Sequence, residues 1–250
     1  MDIIFEDEAL AVEAVKAIHT GDVRSLKRLL ADNPGLVRAR IVGRDYDEKS
    51  NRLGMSRTLL HVVTDWPGHF PRGADTVRLL IDAGAEVNAR FTGPHTETPL
   101  HWAASCDDIE VLDALLDAGA DIEASGAVIA GGTPLDDAVA FAQWHAARRL
   151  VERGAQTKLW HASALGLMDR VKERYEGSKL PTRDETTEAF WLACHGGQLM
   201  AAEYLLEQGA DINWIGYDDL TPLAAARRSS ADELVKWLGS RGAKSASELM

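Results

Sequence analysis

Short apolar runs, each long enough for two or three helical turns, recur along the chain and end on the same two residues. TVRLLIDAGAEVNA, VLDALLDAGADIEA, AARRLVERGA, AAEYLLEQGADINW and ELVKWLGSRGA place apolar residues at three- and four-residue intervals, the period of one buried helix face. Each run closes on a Gly-Ala pair: Gly84-Ala85, Gly119-Ala120, Gly154-Ala155, Gly209-Ala210 and Gly242-Ala243. The first three glycines are 35 residues apart and the last two 33. Pro99, Pro134 and Pro222, each in a Thr-Pro-Leu triplet, stand twenty residues before Gly119, Gly154 and Gly242. A pattern that holds its phase over so many copies predicts stacked units of two helices each.

Each part of the pattern has a physical reason. A Thr hydroxyl caps a helix start, and Pro fits the first turn because its missing N–H was unpaired there in any case. The small residues in TPLHWAA (98–104) let a neighbouring helix come close. Glycine ends the second helix because it tolerates the left-handed backbone of a C-terminal cap. One such unit has too little core to fold alone, and stacked units share one.

TPLHxAA, then a Leu-Leu helix, then GADxN resembles the ankyrin repeat of about 33 residues. Residues 96–124 carry it most fully, and weaker copies cover nearly the whole chain. The copies run at about 8–39, 57–90, 96–124, 131–157, 158–178, 187–214 and 219–243. The resemblance implies an all-α solenoid of about seven stacked helix-turn-helix units, with short β-hairpin-like loops and a concave groove, forming one domain over 1–250. It also implies that His61 and His101, at the TPLH position, are structural and hydrogen-bond across neighbouring repeats. Asp136 takes that position in the fourth copy and Trp191 in the sixth.

Departures from the pattern are specific to this chain. The second copy carries about five extra residues between its helices, including Trp66, Pro67, His69, Phe70 and Pro71, which lengthen that turn and put bulk near one end of the groove. The link 40–56 is polar and longer than a repeat hairpin needs. Only Gln156 and Thr157 separate Gly154-Ala155 from KLWHASALG, so the projecting hairpin is expected to be missing there. Gly177-Ser178 stands where the fifth copy should end on Gly-Ala. The charged helices of the first and last copies read as solvated cap faces.

A formal net charge of −12 opposes binding to a nucleic-acid backbone or an anionic membrane as the main role. No stretch approaches the roughly 20 apolar residues of a membrane span. The acidic start MDIIFEDEAL is unlike a secretory signal, and two cysteines, Cys106 and Cys194, cannot build a disulfide framework, so a cytoplasmic monomer is expected. The chain has no phosphate-binding glycine loop, HExxH, paired CxxC or GxSxG motif. No catalytic residue, metal or cofactor is therefore predicted. The glycines at 126, 131 and 132 read as a hairpin leading into the fourth copy.

Seven tryptophans, against five phenylalanines and four tyrosines, add a recognition signal, since Trp is the residue most enriched at binding hot spots. The C-terminal turns of the first helices face the concave side in ankyrin proteins. Aligning them gives Asp65 and Trp66, Ser105 and Cys106, Phe141 and His195 as groove candidates, with Trp102 beside them. GPHTE (93–97) and GYDDL (216–220) form the rim and contribute His95, Glu97, Tyr217 and Asp218. The primary expectation is a noncatalytic scaffold that binds a partner protein, one with a basic segment suiting the acidic surface. The alternative is a small-molecule receptor or enzyme with a pocket near the second-repeat insertion, where Asp65, Cys106, His95, His101 and His195 are the titratable candidates.

Overall fold

The computed structural model describes residues 3–43 and 55–249. Contacts divide the chain into two compact units, Met1–Ala155 and Gln156–Met250. Among the described residues the first unit holds four helix pairs: α1 (Ala9–His19) with α2 (Val23–Asp32), α3 (Leu59–Thr64) with α4 (Gly73–Asp82), α5 (Pro99–Ser105) with α6 (Ile109–Asp117), and α7 (Pro134–Ala140) with α8 (Trp144–Glu152). First helices pack in one row, α1 on α3, α3 on α5 and α5 on α7, and second helices pack in another, α2 on α4, α4 on α6 and α6 on α8. Leu59, Leu60, Leu100, Leu112, Leu115, Leu135 and Leu150 are fully buried in these layers. The second unit repeats the arrangement with α9 (Leu159–Leu165) and α10 (Met168–Glu176), α11 (Arg183–His195) and α12 (Leu199–Glu207), and α13 (Pro222–Arg228) and α14 (Asp232–Ser240). A short α15 (Ala246–Leu249) follows. Each unit is thus largely helical and solenoid-like, built from paired helices.

Thr98, Thr133 and Thr221 cap α5, α7 and α13, each with Pro at the start of the helix. The five glycines of the Gly-Ala pairs all take left-handed backbone, with φ between 84° and 103°. His61 and His101 are fully buried, as the repeat pattern implies. Each ring's Nδ1 accepts the N–H of its capping threonine, Thr58 or Thr98, at 3.3 and 3.1 Å. Nε2 pairs with the carbonyl just before the next cap, Glu97 at 3.2 Å and Gly132 at 3.4 Å. Trp191 does the same job in the second unit: its indole N–H donates to the carbonyl of Leu220, the residue before Thr221, at 2.8 Å.

One element goes beyond the all-α expectation. Strands β1 (Ile3–Phe5), β2 (Arg40–Val42) and β3 (Ser56–Arg57) form a small sheet, with β1 parallel to β2 and β2 antiparallel to β3. Ser56 then exchanges two backbone hydrogen bonds with Thr92, at 2.8 and 3.0 Å. The two ends of the polar link are therefore paired, while its middle, residues 44–54, lies outside the described residues. Buried Arg40 ties the strands together by donating to the Ser56 carbonyl and the Arg90 carbonyl at 2.7 Å each and to the Thr92 hydroxyl at 3.1 Å.

Candidate partner-binding site

The sheet brings scattered residues of the first unit onto one face. Two adjoining hollows, of about 440 and 300 Å³, share Glu6, Ile41 and Arg57 as their common wall. Val12, Val15, Lys16 and His19 of α1 line the first. Met55, Phe91 and Trp102 line the second. Trp102 is held by its neighbours: its ring lies 4.9 Å from His61 and 5.2 Å from Phe91, centroid to centroid. It is half-buried, with one part in the packing and one part on the hollow. Arg57 forms an ion pair with Asp65, which ends α3, and Trp66 follows with 82 % of its surface exposed. Asp65, Trp66 and Trp102 thus belong to one neighbourhood, joined by Arg57 and Trp102 lining the same hollow.

The second-repeat insertion lengthens the α3–α4 turn, as expected, but much of its bulk is wedged between neighbouring turns. Phe70 stacks on His19 at 4.3 Å and 16°. A methyl group added at Gly21, where φ is +66°, would meet the Pro71 carbonyl at 2.4 Å. On the other side His69 donates its N–H to Asp108 at 2.7 Å, and its Nε2 meets the Cys106 carbonyl at 3.0 Å. Burial beside Phe70 lowers the His19 pKa, against the pull of Asp65 and with a smaller push from Arg57.

The remaining candidates of this unit separate. Ser105 donates to the His101 carbonyl at 2.9 Å within the last turn of α5, and Cys106 donates to the Thr64 carbonyl at the end of α3 at 3.6 Å. Burial, reinforced by Asp108 and Asp65, pushes the Cys106 thiol up to about 11. Burial pushes His61 down to about 3 and His101 to about 4, which keeps both neutral. Glu97 is buried at 7 % exposure, and its carbonyl accepts the Phe91 N–H at 2.7 Å. His95 is half-buried on its loop, and Phe141 is exposed at the end of α7. A hollow of about 380 Å³ does lie at the insertion, between 69–74 and 107–111, but Asp65, His95, His101 and Cys106 do not line it. Among the described residues no group of three or more His, Cys, Asp or Glu could hold a metal.

His195, Tyr217 and Asp218 meet in the second unit. His195 is buried, stacked on Trp191 at 5.4 Å, and is thereby withdrawn from an accessible groove. Tyr217 packs edge-on against Trp191 at 5.2 Å and donates its hydroxyl to Glu188. Partial burial and the adjacent Glu188 carboxylate raise the phenol's pKa, so it stays protonated. Arg228 links Asp218, at 2.5 Å, to His195 Nδ1, at 3.4 Å.

Arg57, Phe91, Met55, Ile41 and Glu6 were not legible as site residues. They stand on strands of two or three residues or beside them, too short for any period to show.

The model for ankyrin repeats (3 copies) matches residues 14–126 and, overlapping, 72–160. The chain belongs to the ankyrin-repeat family. An ankyrin repeat and KH domain-containing protein of Caenorhabditis briggsae is 30% identical over 185 residues, covering 70% of this chain and 7% of the relative. The ankyrin repeat and KH domain-containing protein mask-1 of Caenorhabditis elegans is 30% identical over 172 residues, covering 68% of this chain and 6% of the relative. This ankyrin-repeat chain therefore spans less than a tenth of the length of these relatives. No described helix is long and apolar enough to cross a membrane.

Proposed function

We propose that this ankyrin-repeat protein is a noncatalytic interaction module, and that the face of the first unit around Arg57, Trp66 and Trp102 holds a segment of a partner protein. The helix pairs of both units are taken as about seven copies of one repeat, forming a single array that acts as a monomer in the cytoplasm. The observation that supports the binding reading is that Trp66, 82 % exposed, directly follows Asp65, whose partner Arg57 walls a cleft with Trp102 and Phe91. Aromatic residues with arginine are the side chains that dominate binding energy at interfaces. The partner segment is basic: between Arg90 and Arg148 the sequence has ten Asp and Glu and no Lys or Arg. Such a field steers association of an oppositely charged segment. Phe141 and His95 are further candidate contacts on this unit, apart from that face. On the second unit, taken by itself, the exposed Tyr217 and Asp218 are separate candidate contacts.

The small-molecule or enzymatic alternative has less behind it. Its candidate thiol is protonated, its candidate imidazole His101 is neutral and committed to the repeat interface, and Asp65 is paired with Arg57.

Affinity capture with wild type and with Trp66→Ala/Trp102→Ala tests the proposal. A protein retained by wild type and lost by a variant with unchanged circular dichroism is the expected result. Equal retention by both would refute the assignment of this face.

A further inference from the structure

The sequence irregularities around residues 155–182 converge on one hollow of the second unit. The join before α9 is short, and Lys158 stands at the position just before that helix. Helix α10 ends on Gly177 with extended backbone, φ −76°, in place of the usual left-handed glycine. Helix α11 then runs for 13 residues, where α5, α7 and α13 have 7 each. Between the start of α9, the end of α10 and the added turns of α11 lies a hollow of about 420 Å³.

Its lining mixes apolar and charged side chains. Trp160 and Leu159 come from α9, and Leu180, 58 % exposed, comes from the linker with Pro181. The cations are Lys158, Arg174 and Lys179. Lys158 Nζ lies 5.5 Å from the centre of the Trp160 ring, and Arg174 is aimed by a 2.9 Å bond to the Thr157 carbonyl. The carboxylates on the wall are Glu185 and Glu188. Glu185 already accepts the N–H and hydroxyl of Thr182 at 2.7 and 2.9 Å, and Glu188 accepts the Tyr217 hydroxyl. Cations outnumber carboxylates here in a chain whose net charge is −12. An exposed leucine, a tryptophan with Lys158 by its ring and a further lysine on the lining suit one kind of occupant: an apolar side chain with a carboxylate beside it.

We propose that this hollow is a second docking site, one that takes an acidic, apolar peptide segment of a partner protein. It rests on the reading of the chain as a protein-binding module, but it uses a different unit and the opposite charge. The leucine or similar side chain of the segment packs between Trp160 and Leu180, and its carboxylates meet Lys158 and Lys179.

The test titrates the full-length ¹⁵N-labelled chain with acetyl-Glu-Leu-Asp-Leu-amide at low salt, following the Trp160 indole N–H assigned through Trp160→Phe. The expected result is a saturable shift that weakens with added salt. Lys158→Glu/Lys179→Glu, with both positions exposed and folding checked by circular dichroism, is expected to weaken binding about tenfold or more. Acetyl-Lys-Leu-Arg-Leu-amide is expected to leave the Trp160 indole unmoved. Absence of a shift at millimolar peptide, unchanged affinity in the folded double variant, or an equal response to both peptides would overturn the proposal. The Trp66 and Trp102 indoles, followed in the same titrations with the basic peptide, report on the first-unit face separately, so either reading can fail without the other.

Discussion

A carboxyl group at position 137 lies under the glycine-rich loop 126–132, 1 % exposed, with one oxygen accepting the Ile129 N–H at 3.2 Å. Burial, with Glu97 and Asp136 nearby, pushes this acid up to about 7, although the N–H groups of Ile129 and Val128 favour the charged form. The folded value thus lies above the ordinary 3.8, so the folded state keeps a proton that the unfolded state has released. Stability from this group is full below about pH 4, falls as pH rises towards 7, and is level beyond. His61 and His101 act in the opposite sense: stability is lost as pH falls below the ordinary imidazole value of 6.5 towards their lowered values. Comparing Asp137→Asn with wild type isolates the carboxyl. The difference in Tm, variant minus wild type, should rise from pH 4.5 to pH 8 by the equivalent of a few kcal/mol at most. A difference that stays flat across that range would contradict the burial argument. The histidines at 61 and 101 were legible from their place in TPLH. Asp137 was not, because its neighbour Asp136 occupies the pattern's histidine position and a second Asp gives no sign of which one is buried.

At the scale of elements, the repeat interface depends on a ring that donates or accepts across to the next cap. Trp191→Phe keeps an aromatic ring but removes the N–H and part of the buried indole's volume, leaving the Leu220 carbonyl with only the Gly216 N–H, and is expected to cost about 1–3 kcal/mol by urea denaturation. A loss below a few tenths would mean the bond is replaced by water. The second-repeat insertion depends on a close approach instead. Gly21→Ala puts a methyl group into the Pro71 carbonyl at a left-handed position, and is expected to destabilise by more than about 1 kcal/mol. Neutrality there would mean that the insertion moves away freely. The helix pairs, their caps and the missing fourth-to-fifth hairpin could be read from period and punctuation because each repeat is a local pattern. The sheet of β1, β2 and β3 could not, since its strands pair residue 3 with 40 and 41 with 57, and no local periodicity reports a pairing that distant.

For the whole molecule, binding and stability should separate at the exposed aromatic. Trp66 contributes little to the core, so Trp66→Ala should change stability by less than about 0.5 kcal/mol while weakening the partner complex by tenfold or more. The partner's charge should appear in the association rate, which is expected to fall steeply with ionic strength as the acidic field between Arg90 and Arg148 is screened. The most direct test of the central claim is site-specific photo-cross-linking in cell extract, with benzoylphenylalanine at position 66 and, as a control, at exposed position 78 on α4. Position 66 is expected to capture one protein through a single Lys- and Arg-rich segment, and position 78 is not. Capture of the same protein equally from both positions, or of no protein from position 66, would contradict it.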